Sequence, residues 1–271
     1  MRHLIIKSLR IIFNIRGMSW LLKILFKTDY NRIFRYVMGK VDNLDINKEF
    51  VVRRKIKGAI FELDLYKPTQ RSIYYAPLYE RENLKLTFKY LQQNSTFIDV
   101  GAHIGYYSIL IGKNVRGVNV ISFEPSKENY DILCKNIELN NLKKIVTPFP
   151  FAVSDKNETT TLYLNPFNDG GNSLEQLPHQ ALKEEKVQCV RLDDFLKEHN
   201  YYNINFIKID VEGHEMKVLH GMPNTILKFH PTFLIEAQTK NEQNEIVIFL
   251  KSFGYSHFHL NSYHLDILCK Y

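Results

Sequence analysis

The chain has 271 residues, 45% of them apolar, and a formal net charge of +7. That composition supports a sizeable core and excludes a disordered chain. The cysteines, Cys134, Cys189 and Cys269, are odd in number and scattered, which disfavours a disulfide framework or zinc site and makes a reducing cytoplasm the default. The charge is lopsided: the first 40 residues hold nine Lys/Arg against one acid, a net +8, and the remaining 231 sum to −1. A near-neutral body offers no phosphate-tracking groove, so nucleic acid is not the expected partner.

In chain order, the first element is a basic arm, residues 1–45. His3, Lys7, Arg10 and Asn14 make a polar stripe on a helix, and Leu4, Ile5, Leu9, Ile11, Ile12, Phe13 and Ile15 cover its other faces. No uncharged run approaches the ~20 residues that a spanning helix needs, and no cleavage pattern follows. Residues 1–27 read either as an interfacial helix, peripheral on the inner membrane face, or as a cap packed on the protein or on a second copy in a homo-oligomer.

An N-terminal extension, 46–95, comes next. FVVRRKIKGAIFELDLY (50–66) reads as a hairpin turning at Lys57-Gly58, and 68–93 as loop and helix. From residue 96 to 271 the rhythm becomes strand, turn, helix. Strands are expected at 96–100, 118–123, 145–149, 204–209 and 232–236, with helices near 105–113, 126–140, 213–220 and 242–252. Such alternation predicts a doubly wound, mostly parallel α/β sheet. Residues 255–271 read as two strands at the sheet edge. TTTLYL (159–164) and KVQCVRL (186–192) are extra strands. The loop between them, NPFNDGGNSLEQLPHQ, reads as a substrate lid or a plain surface insertion; Asn172 and Ser173 are its substrate-side candidates.

Four strands end on an acid: Asp99, Glu124, Asp210 and Glu236. Ligands of open parallel sheets sit outside those ends. Helix capping explains one such acid at a time, but four on one edge predict a cleft for cationic or hydroxyl-bearing groups. Glu124 ends the second strand, 19 residues after Gly105, where an acid typically grips ribose hydroxyls. The loop G-A-H-I-G fails the G-x-G-x-x-G spacing of dinucleotide sites, and no P-loop motif exists. A nucleoside ligand without pyrophosphate, S-adenosylmethionine, fits that combination.

The chain resembles the FkbM family of S-adenosylmethionine-dependent methyltransferases over about residues 60–255. The resemblance rests on FIDVGAHIGYYS (97–108), FEPSKENYDILCKNIELN (123–140), AVSD (152–155), VRLDDFL (190–196) and above all IKIDVEGHEMKVLHGM (207–222). It implies a class I, Rossmann-like methyltransferase fold with a seven-stranded sheet, one late strand antiparallel, and transfer to a hydroxyl of a sugar or secondary metabolite. By similarity the cofactor loop falls on Asp99, Gly101 and Gly105, the ribose acid on Glu124, and the adenine edge on Ala152, Val153 and Asp155; His103 and Asp210 are further cofactor-binding candidates. The reacting centre falls on Asp210, Glu212, Gly213, His214 and Glu215. One departure is His103, where the family usually has Asn.

An alcohol needs a base to become a nucleophile. His214 or Asp210 is the expected base, with Glu212 and Glu236 orienting the substrate. His214 as a plain first-turn helix residue remains open. A divalent cation at D-V-E-G-H-E is disfavoured, because the spacing matches no ligand loop. The acceptor is expected to be a glycan or glycolipid hydroxyl. A soluble secondary metabolite, or a catalytically silent methyltransferase-like binding module, is the alternative.

Overall fold

The computed structural model describes residues 51–75, 79–165, 168–175, 183–261 and 265–271. The arm at 1–45 and part of the proposed lid, 166–167 and 176–182, lie outside the described residues. No helix among the described residues is long and apolar enough to cross a membrane. The chain divides into two compact units. One comprises residues up to Arg54, Glu62–Tyr79 and Pro166–Gly170; the other comprises Lys55–Phe61, Glu80–Asn165 and Gly171–Tyr271.

The hairpin forms where expected. Strands β1 (Val51–Ile56) and β2 (Ala59–Asp64) make a two-stranded sheet, and Lys57 and Gly58 both take positive φ (45° and 86°), the turn that matches strand twist. In the first unit, helix α1 (Pro68–Tyr75) is tied down by carboxylates. Asp169 accepts from the Thr69 amide at 2.8 Å and from the Gln70 side chain at 3.1 Å. Gln70 in turn accepts from the Asp64 amide at 2.8 Å.

The second unit begins with α2 (Arg81–Tyr90). Its main sheet has seven strands: β3 (Thr96–Val100), β4 (Asn119–Phe123), β5 (Val146–Phe149), β9 (Phe206–Ile209), β10 (Thr232–Ile235), β11 (His257–Leu260) and β12 (Ile267–Lys270). Their spatial order is β11-β12-β10-β9-β3-β4-β5. All neighbours are parallel except β12, antiparallel to both β10 and β11. The chain winds outward one way from β3 and the other way from β9, so the crevice between their carboxyl ends is the topological switch point, where such sheets bind ligands. This is the class I methyltransferase topology expected from the sequence. Both central strands are buried along their whole length, which is why they read as continuous apolar runs rather than alternating ones.

Helices α3 (Tyr106–Asn114), α4 (Lys127–Leu139), α6 (Glu215–His220) and α8 (Lys240–Ser252) fall between the strands, as the sequence pattern indicates. Thr239 caps α8, accepting from the Glu242 amide at 3.1 Å. Two short helices, α5 (Leu192–Glu198) and α7 (Pro223–Phe229), were not expected. At seven residues each, neither is long enough to show helical periodicity. Asp193 of α5 accepts from the Asn224 and Thr225 amides at 2.9 and 2.8 Å, so one short helix caps the next. The extra strands β7 (Glu158–Leu164) and β8 (Lys183–Val190) join β6 (Phe151–Val153) in a separate sheet of order β6-β8-β7.

Candidate functional site

The loop after β3 is built by three left-handed residues: Gly101 (φ 78°), His103 (φ 51°) and Gly105 (φ 87°). A Cβ on Gly101 would lie 1.8 Å from the Asp210 carbonyl oxygen, so only glycine lets the loops after β3 and β9 meet. His103 stands at a position whose φ suits Asn and His better than most side chains, which explains how the departure from the family residue is accommodated. The Gly101 and Ala102 amides donate to the Phe123 carbonyl at 3.0 and 2.9 Å. Glu124, just beyond β4, accepts from the His103 amide at 2.8 Å and the Ser126 amide at 2.9 Å. Its buried carboxyl is raised by desolvation, against the pull of His103 and these amides. Each oxygen accepts one backbone bond, the Asn129 side chain bonds the carboxylate as well, and one acceptor site is left.

Asp99 lies inside β3 and is 1% exposed. Its Oδ2 accepts from the Ser108 amide and hydroxyl at 3.1 and 2.5 Å, and Ser108 also bonds Ser122 at 2.7 Å. Its buried Oδ1 makes no hydrogen bond; the nearest charge is Lys208 Nζ at 3.8 Å. Burial raises the Asp99 carboxyl against the attraction of Lys208.

Lys208 was not anticipated as a site residue. It pairs across the sheet with Asp99 and Leu234, and its Nζ donates to Asp210 Oδ2 at 2.9 Å. The available signal was one lysine inside an otherwise apolar strand, FIKI. One register step further on, Asp210, Glu236 and Asp266 follow the pairs Ile209↔Ile235 and Ile235↔Ile267. They form a row of carboxyls on three adjacent strands. Burial alone would raise Asp210, but Lys208 and a hydrogen bond from Glu236 hold it below the usual range. Glu236 is pushed up to about 11, first by Asp210's charge and then by burial. Burial lifts Asp266 to about 7. Asn83 donates to Asp266 at 2.8 Å and to Glu80 at 2.9 Å, and the Tyr107 hydroxyl donates to Glu80 at 3.3 Å. These residues line a pocket whose void is about 10 Å³, room for one water molecule.

The D-V-E-G-H-E turn divides in two. Glu212 (φ 55°) accepts from Gln238 at 3.2 Å, and burial together with Asp210 pushes its carboxyl up to about 7. His214, by contrast, is locked: Nε2 lies 2.9 Å from Ser154 Oγ and Nδ1 2.8 Å from Glu175 Oε1. Burial holds its imidazole below the ordinary value. With both ring nitrogens engaged, His214 has none left in this arrangement to take a proton from an acceptor. Ser173 Oγ donates to the Glu212 carbonyl at 2.7 Å and accepts from the Glu175 amide, and Asn172 accepts from the Asn165 amide at 2.9 Å. The described end of the proposed lid therefore braces the turn. Ala152 and Val153 bury their side chains in two apolar clusters, so only their backbone could meet an adenine; Asp155 accepts from Ser154 Oγ at 3.1 Å. Among the described residues, no His, Cys, Asp and Glu group is arranged to hold a metal.

Glu215 braces the same turn from α6, accepting from the Val211 amide at 3.1 Å and the Gly213 amide at 3.0 Å. Burial and Glu242 push its carboxyl up to about 9. The folded chain thus binds this proton more tightly than the unfolded one. The contribution is whole below the unfolded value of 4.5 and is lost as pH rises towards 9. Glu215→Gln keeps an acceptor for both amides without the titration. Denaturant unfolding across that window should show the variant gaining on wild type as pH rises; parallel curves would remove Glu215 as the cause.

A curated relative, Methyltransferase sdnD of Sordaria araneosa, is 28% identical over 162 residues, covering 49% of this chain and 62% of that protein. Hexuronic acid methyltransferase AglP of Haloferax volcanii is 24% identical over 149 residues, covering 54% and 58%. The chain thus spans about three fifths of the length of the curated relatives it matches. The crystal structure of a methyltransferase FkbM from Methylobacillus flagellatus KT is 20% identical, with a TM-score of 0.48, covering 67% of this chain and 44% of that one. The family model of the methyltransferase FkbM domain matches residues 99–257, more than half of the sequence, and the chain belongs to that family.

Proposed function

We propose that the protein methylates a hydroxyl with S-adenosylmethionine as donor, and that the hydroxyl belongs to a glycan or glycolipid. The observation that carries this reading is the Lys208–Asp210–Glu236 group at the switch point, a lysine 2.9 Å from one carboxylate that stands beside a second, protonated carboxyl. The residues fit the donor. The glycine-built loop leaves its backbone at the crevice, Glu124 keeps an acceptor site for a ribose hydroxyl, and Asp99 Oδ1 is a buried acceptor with no hydrogen bond. S-adenosylmethionine, when bound, supplies a methyl on a sulfonium and leaves as the neutral thioether. The chain's own part is the acceptor's proton, which passes to Asp210. Base assistance of this kind contributes about 10²–10⁴-fold. Glu212, pushed up to about 7, is near enough to neutrality to orient the hydroxyl by donating or accepting. The glycan class is favoured by the hexuronic acid methyltransferase among the relatives.

Calorimetric titration with S-adenosylhomocysteine, with NAD as control, tests the donor. Micromolar binding is expected, and Glu124→Ala should abolish it, because that carboxylate also holds the His103 amide in the loop. No binding by a folded chain would leave a silent binding module as the better account.

The composition of the basic arm supports a further part of the proposal, contact with an anionic membrane face, where each Lys or Arg near the surface would add about 1 kcal/mol; a cap packed on the protein is the other reading. The full chain should co-sediment with anionic liposomes at low salt and be released by high salt; a chain that stays off them would remove the membrane from the proposal.

A further inference from the structure

Asp210 and Glu236 follow the paired residues Ile209 and Ile235 and line the same small pocket, which sets their carboxyls side by side where one can donate to the other. Two carboxyls in that contact share one proton, because both cannot ionise side by side. Nothing within the pair itself decides which residue carries it. The surroundings do. Lys208 Nζ stands 2.9 Å from Asp210 Oδ2 and 3.8 Å from Asp99 Oδ1, and forms no ion pair with Glu236. Its side chain is 9% exposed, a costly burial for a cation unless carboxylates surround it. The Tyr107 ring of α3 lies 5.1 Å from the ammonium. Glu236 is crowded by the acids Asp210, Glu212 and Asp266, and the Lys208 charge acts on it less than on Asp210 and Asp99. His103 adds positive field at Asp210 and Glu212, and Glu80 adds negative field at Asp266.

We infer that Lys208 is a positioning residue, whose ammonium keeps Asp210 ionised and so places the shared proton on Glu236. This rests on the methyl-transfer reading, in which Asp210 takes the acceptor's proton. It gives that reading a direction: the base is the carboxylate beside the lysine, and Glu236 is its neutral hydrogen-bond donor. Lys208 is held above its ordinary value by Asp210 and Asp99, against burial, so its charge is constant over the working pH range.

The test is a carbon NMR titration of the full chain labelled at the Asp and Glu carboxyls, with signals assigned through Asp210→Asn and Glu236→Gln. In wild type near neutral pH, Asp210 should sit at the ionised shift and Glu236 at the protonated one. In Lys208→Met the two shifts should move towards each other and Asp210 should begin to titrate. Lys208→Arg should restore the wild-type pattern. Unmoved shifts in Lys208→Met, or an Arg variant that behaves like the Met variant, would overturn the inference. Should Lys208→Met fail to fold, Lys208→Met/Asp99→Asn removes the cation and one buried carboxylate together and is read the same way. S-adenosylhomocysteine titration of the same samples separates the two readings. Carboxyl shifts as expected without nucleoside binding would keep the proton placement and sink the methyl-transfer reading; binding with unmoved carboxyls would do the reverse.

Discussion

Gly101→Ala is expected to lose S-adenosylhomocysteine binding by about two orders of magnitude or more and to lose at least about 3 kcal/mol of stability. The methyl would stand 1.8 Å from the Asp210 carbonyl oxygen, a backbone atom that no side-chain rotation can move. The φ of 78° adds the strain of a left-handed non-glycine residue. Relief requires the loops after β3 and β9 to part. That breaks the amides of Gly101 and Ala102 from Phe123 and shifts Asp210 away from Lys208. Gly213→Ala is the matched control, with φ 96° but nothing within 4 Å of its added Cβ. It should show the strain alone, about 1–2 kcal/mol. Thermal melts and calorimetry on both variants check this; equal losses would mean that the wedge between the loops is not what makes position 101 glycine.

Where the chain repeats strand, turn and helix over long segments, the sequence announces the fold. The glycines at 101 and 105, the acid at 124 and the pattern after residue 96 all land where periodicity and turn chemistry put them. The site was legible only in part. Strand ends located Glu124, Asp210 and Glu236, because a charge that closes an apolar run marks the end of a strand; the same pattern picked out Asp99, which sits one residue inside β3 instead. Their partners were hidden for a physical reason. Asp266 reaches the row through an antiparallel strand near the C-terminus, 56 positions after Asp210, and no local pattern announces register across β10 and β12. Glu80 and Asn83 arrive from α2 by the same non-local route. Lys208 was visible as a charge inside FIKI, yet only the register with Asp99 shows what neutralises it. His214 presents the opposite case. Its residue type and position suit a base, but the side chain turns to Ser154 and Glu175, and neither partner is near it in sequence.

Because the proton of the pair belongs to Glu236, the two isosteric amide variants should differ sharply. Asp210→Asn removes the acceptor of the hydroxyl's proton. On the proposed methyl-transfer reading, transfer of labelled methyl to the acceptor hydroxyl should fall about 10²–10⁴-fold, while S-adenosylhomocysteine affinity stays within a few-fold. Glu236→Gln substitutes one neutral hydrogen-bond donor for another beside an unchanged Asp210, and its transfer rate should fall by less than about tenfold. Both variants keep the side-chain volume, and neither alters the glycine loop or Glu124, so cofactor binding separates a chemical defect from a collapsed site. Equal losses in the two variants would mean that the pair acts as one group with no fixed proton. A larger loss in Glu236→Gln would place the base on β10 instead. The asymmetry follows from one distance, the 2.9 Å between Lys208 and Asp210. The same distance explains a lysine in a strand buried along its whole length. A methionine there would pack as well, but it would remove the largest attraction that sets Asp210 apart from Glu236.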